Sequence, residues 1–589
     1  MELGLNAVDV YSGICGEGVY NKIERGKYAG GIHVLRALCE RLGINSDRCG
    51  IYIAKAEYDE LMERLYILED IREGRLEGAE ERVAGYDKKY GGIPLNSQFA
   101  AFMRGRLAEL GGNDANALEY YENAIQQTMP GYENMESISC MTVGEAYMIF
   151  GVARIKRRLG GGAEAYKLYM LLLGYCMNAK VEKWNLVCIY PKLICKMVDV
   201  IGIDNMDAAE MKDMLGHCEN ALNVLVGTAR LHYIRPVLRN IIGFKRRLKS
   251  GDDDVRDCEE LLRVVEEVFK SYGHECELFE WYPYYVGWEF FCVNDFIAER
   301  RIMQGMSIEE LAGNRYSARN VQRIVKGHVA PSYNTSKGLL DRLGLKGVMR
   351  SDVVVGNDIE LYKLWDETAF CIKSGDFEGA EKKYEKLSGM PDGQEELNRR
   401  VLEYIRIKLD VNEKKTDTVT AAEELEKLLT FSVRDVKKYN NFTKLEEIIL
   451  CDYLYWKKDM KTEEWLELFE SIVSRYGSDE LTRRRFASVY EGICAIGSNY
   501  LGDRAEFAKS DETALNGIKT EMECERMNVL PSLLYSLAWN KEKQGRVTEN
   551  EVRLCRYAYV IEKYKNDGKR AETYKNWLKR NEVYDETQD

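Results

Sequence analysis

The chain has 589 residues, too many for one core, so it must divide into several domains or a repeat array. Proline is scarce (8), charged residues make up 31% and the net charge is −13. That balance favours an all-α solenoid over disorder or a β-sandwich, and it excludes a chain that coats nucleic acid along its whole length, while leaving room for a local basic patch.

From the N-terminus, Leu5 to Ile44 reads as a short helix, a tight turn, a second short helix, a Gly-ended stop and a third amphipathic helix. The second of these helices runs from about Gly16 to Glu24. Gly16 and Gly18 weaken it, at roughly 1 kcal/mol each, and Glu17 would face phosphate. Asn21, Lys22, Arg25 and Lys27 remain as contacts for a nucleic acid. Residues preceding this pair as a first helix would have to lie before Met1.

A long helical stretch follows, to about residue 290. Gly105, Ala117, Tyr121, Ala124 and Pro130 have the spacing of a tetratricopeptide unit, in which small residues admit a neighbouring helix, an aromatic fills the next layer and Pro ends the unit. Gly160–Gly162 lacks the Lys-Ser/Thr of a phosphate loop and reads as a turn between helices. Trp184–Ile203, the most apolar window, contains Lys192, Lys196 and Asp199, so it is a core helix pair and not a membrane span. Asp252–Asp254 reads as an exposed turn before a helix. The aromatic run from Glu280 to Phe291 is expected to pack between two halves of the protein.

Residues 306–345 then repeat the opening pattern without a gap at one offset (324 − 23 = 301). Here a helix precedes the pair, Val293 to Gln304. Ser307 can cap the next helix and Ser317 the one after it. Val321 and Ile324 point inward. Ser317, Arg319, Asn320, Gln322 and Arg323 are left on the leading and outer faces, with Lys326 and His328 beyond. Arg pairs with guanine through two bonds, and Asn or Gln pairs with adenine. Behind this motif Gly375–Glu381 matches Gly74–Glu80 at the same offset, and Ala380, Tyr384, Leu387 and Pro391 restate the repeat spacing. Near the ends the offset has drifted: Pro236 meets Pro531 and Gly273 meets Gly568 (568 − 273 = 295). The expected organisation is therefore two homologous halves: a helix-turn-helix over 1–45 with repeats over 46–290, and a second helix-turn-helix over 291–346 with repeats over 347–589. The tail from Tyr584 to Asp589 is expected to fray.

Gly4-Leu5-Asn6 through Ile23-Glu24-Arg25-Gly26-Lys27, followed by Val34-Leu35 to Leu42-Gly43, resembles the phage-repressor/Cro (XRE) type of helix-turn-helix. The repeats behind it resemble those of peptide-pheromone-sensing regulators of Gram-positive bacteria. This resemblance implies a bacterial, cytoplasmic transcription regulator that binds double-stranded DNA, with an array that forms a homodimer and takes a short peptide in its groove. It implies recognition contacts at Ser317, Arg319, Asn320, Gln322 and Arg323, and at Glu17, Val19, Asn21 and Lys22. The family has one DNA-reading domain per chain; this chain has two. If both read DNA, one chain acts as a pseudo-dimer on half-sites that differ in sequence and lie about 34 Å, or a multiple, apart.

Other chemistry finds little support. The sixteen cysteines include no Cys-x-x-Cys pair and read as free thiols in a reducing cytosol. The five histidines are isolated, so no metal site and no cofactor is indicated, and no catalytic set is visible. The start lacks a basic n-region and an apolar h-region, so no signal peptide is expected. Two other readings stay open: an interaction scaffold whose motifs survive only as packing domains, and a peptide receptor acting on a protein partner.

Overall fold

The computed structural model describes residues 5–28, 30–44, 52–177, 181–249, 251–273, 290–346, 353–356, 358–457, 459–565 and 568–581. Among these residues the fold is all-α: besides helices there are two strands of two residues and one isolated bridge. The backbone forms two compact units. One comprises Met1–Ser46, Glu60–Val286 and Ile518–Asp589, the other Asp47–Asp59 and Gly287–Gly517.

In the first unit, α1 (Ala7–Tyr11), α2 (Glu17–Glu24) and α3 (Ile32–Arg41) form an N-terminal head. Behind it come α4 (Lys55–Arg72), which enters this unit at Glu60, then α5 (Leu76–Tyr90), α6 (Pro94–Leu110), α7 (Asp114–Gln126), α8 (Val143–Arg158), α9 (Gly162–Cys176), α10 (Lys183–Ile201), α11 (Ala208–Gly227), α12 (Ile234–Arg247) and α13 (Asp252–Tyr272). From α5 onward each helix packs on the next. Residue size sets that packing. A Cβ at Gly105 would lie 2.6 Å from the Tyr121 ring, and one at Gly151 would lie 2.9 Å from the same ring. Two glycines, on α6 and α8, thus admit the fully buried tyrosine of α7. Its hydroxyl donates to Glu109 at 2.6 Å, and Arg154 and Arg158 hold that carboxylate.

Gly160 ends the turn after α8 at φ 94° and Gly162 opens α9, so the triple glycine is a turn between helices. Asp252–Asp254 is not a turn before a helix but the start of α13 itself. The helix dipole favours acidic residues at this end, which carries the helix one turn further than expected. The described cysteines are all free thiols and most are buried. Among the described residues no helix is long and apolar enough to cross a membrane.

In the second unit, β1 (Tyr52–Ile53) pairs in parallel with β2 (Phe291–Cys292), placing Tyr52 opposite Phe291. A central head follows: α14 (Val293–Met303), α15 (Ile308–Ala312), α16 (Ala318–Val325) and α17 (Tyr333–Arg342). Its array continues through α18 (Ile359–Ser374), α19 (Phe377–Ser388), α20 (Glu396–Asn412), α21 (Thr418–Lys427), α22 (Lys444–Trp456), α23 (Thr462–Gly477), α24 (Glu480–Arg485), α25 (Ala487–Asp503) and α26 (Phe507–Glu523), which leaves this unit after Gly517. The last helices, α27 (Leu530–Lys543), α28 (Glu549–Tyr564) and α29 (Gly568–Arg580), belong to the first unit, where α28 packs on α13.

Most of the aromatic run from Glu280 to Phe291, and the tail from Tyr584, lie outside the described residues. Phe290, at the end of that run, is buried with the Arg485 guanidinium 4.3 Å from its ring.

Candidate nucleic-acid interface

The central head is built by its caps. Ser307 Oγ accepts from the Glu310 amide at 3.0 Å while the Glu310 carboxylate accepts from the Ser307 amide at 2.7 Å, so α15 starts in a reciprocal capping box. Gly313, at φ 52°, turns the chain. Ser317 Oγ then accepts from the Asn320 amide at 3.2 Å and starts α16. Leu311, Ala312, Val321 and Ile324 are buried, all at 2% exposure or less. With Val321 and Ile324 inward, the other face of α16 is committed to solvent. Ser317, Arg319, Asn320, Gln322, Arg323 and Lys326 are all exposed, as are Arg315 and His328. Among the described residues no ion pair engages Arg319, Arg323 or Lys326.

The N-terminal head has the same helix bounds 301 residues earlier: α1, α2 and α3 match α15, α16 and α17 at both ends. Its surface differs. Gly16 offers no side chain to cap α2, and no residue of α2 is fully buried. Lys22 and Lys27 are exposed and Asn21 is half-buried. Val8 (56%), Val19 (37%) and Tyr28 (50%) stand out in solvent. Their counterparts in the central head are Glu309, Asn320 and Val329.

Each head is seated on its array by a buried ion pair, which the sequence reading did not find. Thr443 and Glu446 form a capping box at the start of α22, and Thr142 and Glu145 form one at the start of α8, again 301 residues apart. Both glutamates also accept an arginine. Glu446 takes both terminal nitrogens of Arg300, on α14, and the Thr430 hydroxyl at 2.9 Å. Burial alone would raise the Glu446 carboxyl; the Arg300 guanidinium overrides it and holds the carboxyl below its usual range.

Glu145 instead takes Arg41, on α3, at 2.5 Å. Arg41 also donates to the carbonyls of Ser12 (2.6 Å) and Thr128 (3.0 Å). A Cβ at Gly13 would lie 2.5 Å from the Thr128 carbonyl, so the array backbone lies directly against the turn of this head. Arg342, the counterpart of Arg41, is exposed and donates to the Glu310 carbonyl. The two sockets are alike, but one is filled from the last helix of its head and the other from the first. A Thr-x-x-Glu pattern recurring at the repeat offset is the signal that marks both sockets in the sequence.

A second seat holds the N-terminal head. His33 Nε2, on α3, lies 2.8 Å from Glu60 Oε1, and Arg64 and Tyr86 also bond that carboxylate. Burial, reinforced by the Arg64 charge, lowers the His33 pKa to about 4. The ring is therefore neutral at pH 7, and His33, Arg64 and the Tyr86 hydroxyl together hold the Glu60 carboxyl below its usual range against the effect of burial. His232 is likewise structural, its Nε2 lying 2.9 Å from the Val187 carbonyl.

No family model and no curated protein matches this chain. Several solved structures align with about half of it. Bacillus thuringiensis PlcR in complex with the peptide PapR7 and DNA is 18% identical, covering 49% of this chain and 98% of its own, at a TM-score of 0.31. The apo competence regulator ComR from Streptococcus vestibularis is 15% identical, covering 50% and 100%, at 0.32. The Streptococcus dysgalactiae SHP pheromone receptor Rgg2 is 15% identical, covering 49% and 99%, at 0.27.

Proposed function

We propose that the chain is a sequence-specific DNA-binding transcription regulator of two related halves, each a helix-turn-helix head followed by a tetratricopeptide-like array. The observation that carries this reading is the face of α16. It is backed by the buried Val321 and Ile324, and it presents Arg319, Asn320, Gln322 and Arg323 to solvent together. Inserted in a major groove, Arg319 and Arg323 would read guanine, and Asn320 and Gln322 adenine. Ser317 and Lys326, at the two ends, would hold phosphates and fix register. The arrays would position the heads and take a short peptide. No catalytic role is proposed.

One observation favours a different role for the N-terminal head. Val8 and Val19 occupy the positions of Glu309 and Asn320, and an exposed apolar pair suits a protein surface better than a phosphate backbone. Asn21, Lys22 and Lys27 are then a weaker set of DNA contacts than those of α16.

Selection from a random duplex library tests the reading. A motif recovered by the wild type and lost by Arg319→Ala/Arg323→Ala supports it. Recovery of no motif by a folded, helical protein refutes it and leaves an interaction scaffold.

A further inference from the structure

The two C-terminal ends of the proposed halves meet inside the first unit, and they meet at equivalent residues. Arg230 and Arg526 form an antiparallel bridge (526 − 230 = 296). The Leu231 amide donates to the Glu525 carbonyl at 2.7 Å, and the Met527 amide donates to the Ala229 carbonyl at 3.0 Å. Any antiparallel bridge is locally two-fold. That it joins counterparts is not given by that geometry. The same spacing of 296 relates α12 to α27 at both ends. It also relates two pairs of left-handed residues, Ala229 (φ 53°) with Glu525 (φ 49°), and Lys249 (φ 55°) with Gly545 (φ 65°). The structural offset is thus 296 here, one more than the sequence alignment suggested.

The helices that follow, α13 and α28, pack on each other, and their contacts repeat the pattern. Glu260 pairs with Arg556, its own counterpart at 296, at 3.2 Å. Asp257 pairs with Lys563 at 3.4 Å. The exchanged positions, Glu267 and Arg553, carry the same opposite charges. The Tyr557 hydroxyl is the first of the groups that hold the Glu267 carboxyl below its usual range, and Arg553 is among the charges that add to it. The backbone bridge at Arg230 and Arg526 and the Glu260–Arg556 pair thus join counterparts, as contacts on the axis of an isologous dimer interface do.

The charges have separated between the two faces. At all three equivalent positions α13 is acidic and α28 is basic: Asp257 against Arg553, Glu260 against Arg556, Glu267 against Lys563. Arg263, also on α13, pairs with Glu260 and Glu267 of its own helix. In a dimer of identical halves, like charges would face each other at these positions. Here two copies of α13 repel, two copies of α28 repel, and only α13 with α28 attract.

We propose that this contact is a dimer interface built into a single chain: the charge split lets α13 accept α28 but not another α13, and the covalent link makes the α28 of the same chain the partner. This rests on the two-halves reading above but not on DNA binding. The chain is then a monomer that carries two heads, and not the homodimer that the sequence resemblance implied.

Light scattering and charge reversal test it. The wild type should run as a 67.9 kDa monomer across micromolar concentrations. Asp257→Arg/Glu260→Arg/Glu267→Lys makes both faces basic, and Arg553→Glu/Arg556→Glu/Lys563→Glu makes both acidic. Each variant alone should lose amide protection in α13 and α28 by at least tenfold. Mixed one to one, the two should form a complex of twice the monomer mass. Both triple reversals in one chain should restore the protected monomer, which a general folding defect would not allow. A wild-type dimer, or unchanged protection in both single-face variants, overturns the proposal. Neither outcome bears on whether α16 reads DNA.

Discussion

Replacing Arg300 by Met should release the central head from its array. The structure sets the size of the effect. The Arg300 side chain is 1% exposed and that of Glu446 is 0% exposed, so removing the cation leaves a carboxylate buried without its counter-charge. Losing one partner of such a pair costs about 3–5 kcal/mol. Glu446 keeps its bonds to the Thr443 amide and the Thr430 hydroxyl, which places the loss near the lower end. About 3 kcal/mol corresponds to roughly 150-fold in local opening. Amide exchange over α14–α17 should therefore accelerate by about that factor, while α18–α20 exchange as before. The companion Glu446→Gln should behave alike, and Arg300→Met with Glu446→Gln should recover part of the loss, since no unpaired charge remains. The Glu446 pKa adds a pH signature. Because its folded pKa is depressed, its contribution is present above about pH 4.5 and is lost as pH falls through the folded value. If Arg300→Met changes exchange of the head by less than fivefold, the pair does not seat it.

Two further outcomes follow from packing and titration. Gly105→Ala should destabilise the first unit although alanine favours a helix by about 1 kcal/mol: its Cβ meets the Tyr121 ring, which Gly151 approaches as well, and overpacking of that kind costs about 1–3 kcal/mol. A fall in the unfolding midpoint of that unit is the expected readout, and a rise would contradict it. His33 has a folded pKa of about 4 against about 6.5 unfolded, so the unfolded chain binds the proton first and stability is lost as pH falls from 6.5 towards 4. The loss reaches at most about 3 kcal/mol, reduced by the 14% of the side chain that stays exposed. His33→Gln should flatten the pH dependence of unfolding in that window; an unchanged slope would show that other groups carry it.

The parts legible in the sequence were the parts set by local rules. Ser307, Ser317 and the Val321/Ile324 spacing define a head within some twenty residues, and the caps and burial follow them. Gly105 and Tyr121 were legible for the same reason, as neighbours on successive helices. Asp252–Asp254 was misread because an acidic cluster suits a turn and a helix N-terminus alike, and only the context decides. Of the seats, the sequence carries only the recurring Thr-x-x-Glu sockets; their arginine partners were not legible because they lie far apart, Arg41 from Glu145 by 104 residues and Arg300 from Glu446 by 146. The α13–α28 contact was hidden more deeply still. Each helix alone is an ordinary amphipathic helix, and the opposite charge of equivalent positions acquires meaning only once the two are seen to pack.

The central claim is that α16 reads base edges, and affinity measures it most directly. On a duplex selected by the wild type, binding is compared with that of Arg319→Ala/Arg323→Ala between about 50 and 200 mM salt. Each arginine that reads a guanine contributes about 1–3 kcal/mol, so the double variant should bind at least about 30-fold more weakly and discriminate less against mutated sites. Wild-type affinity should itself fall steeply with salt. Equal affinity and equal discrimination in the two proteins would contradict the account and remove α16 from the interface.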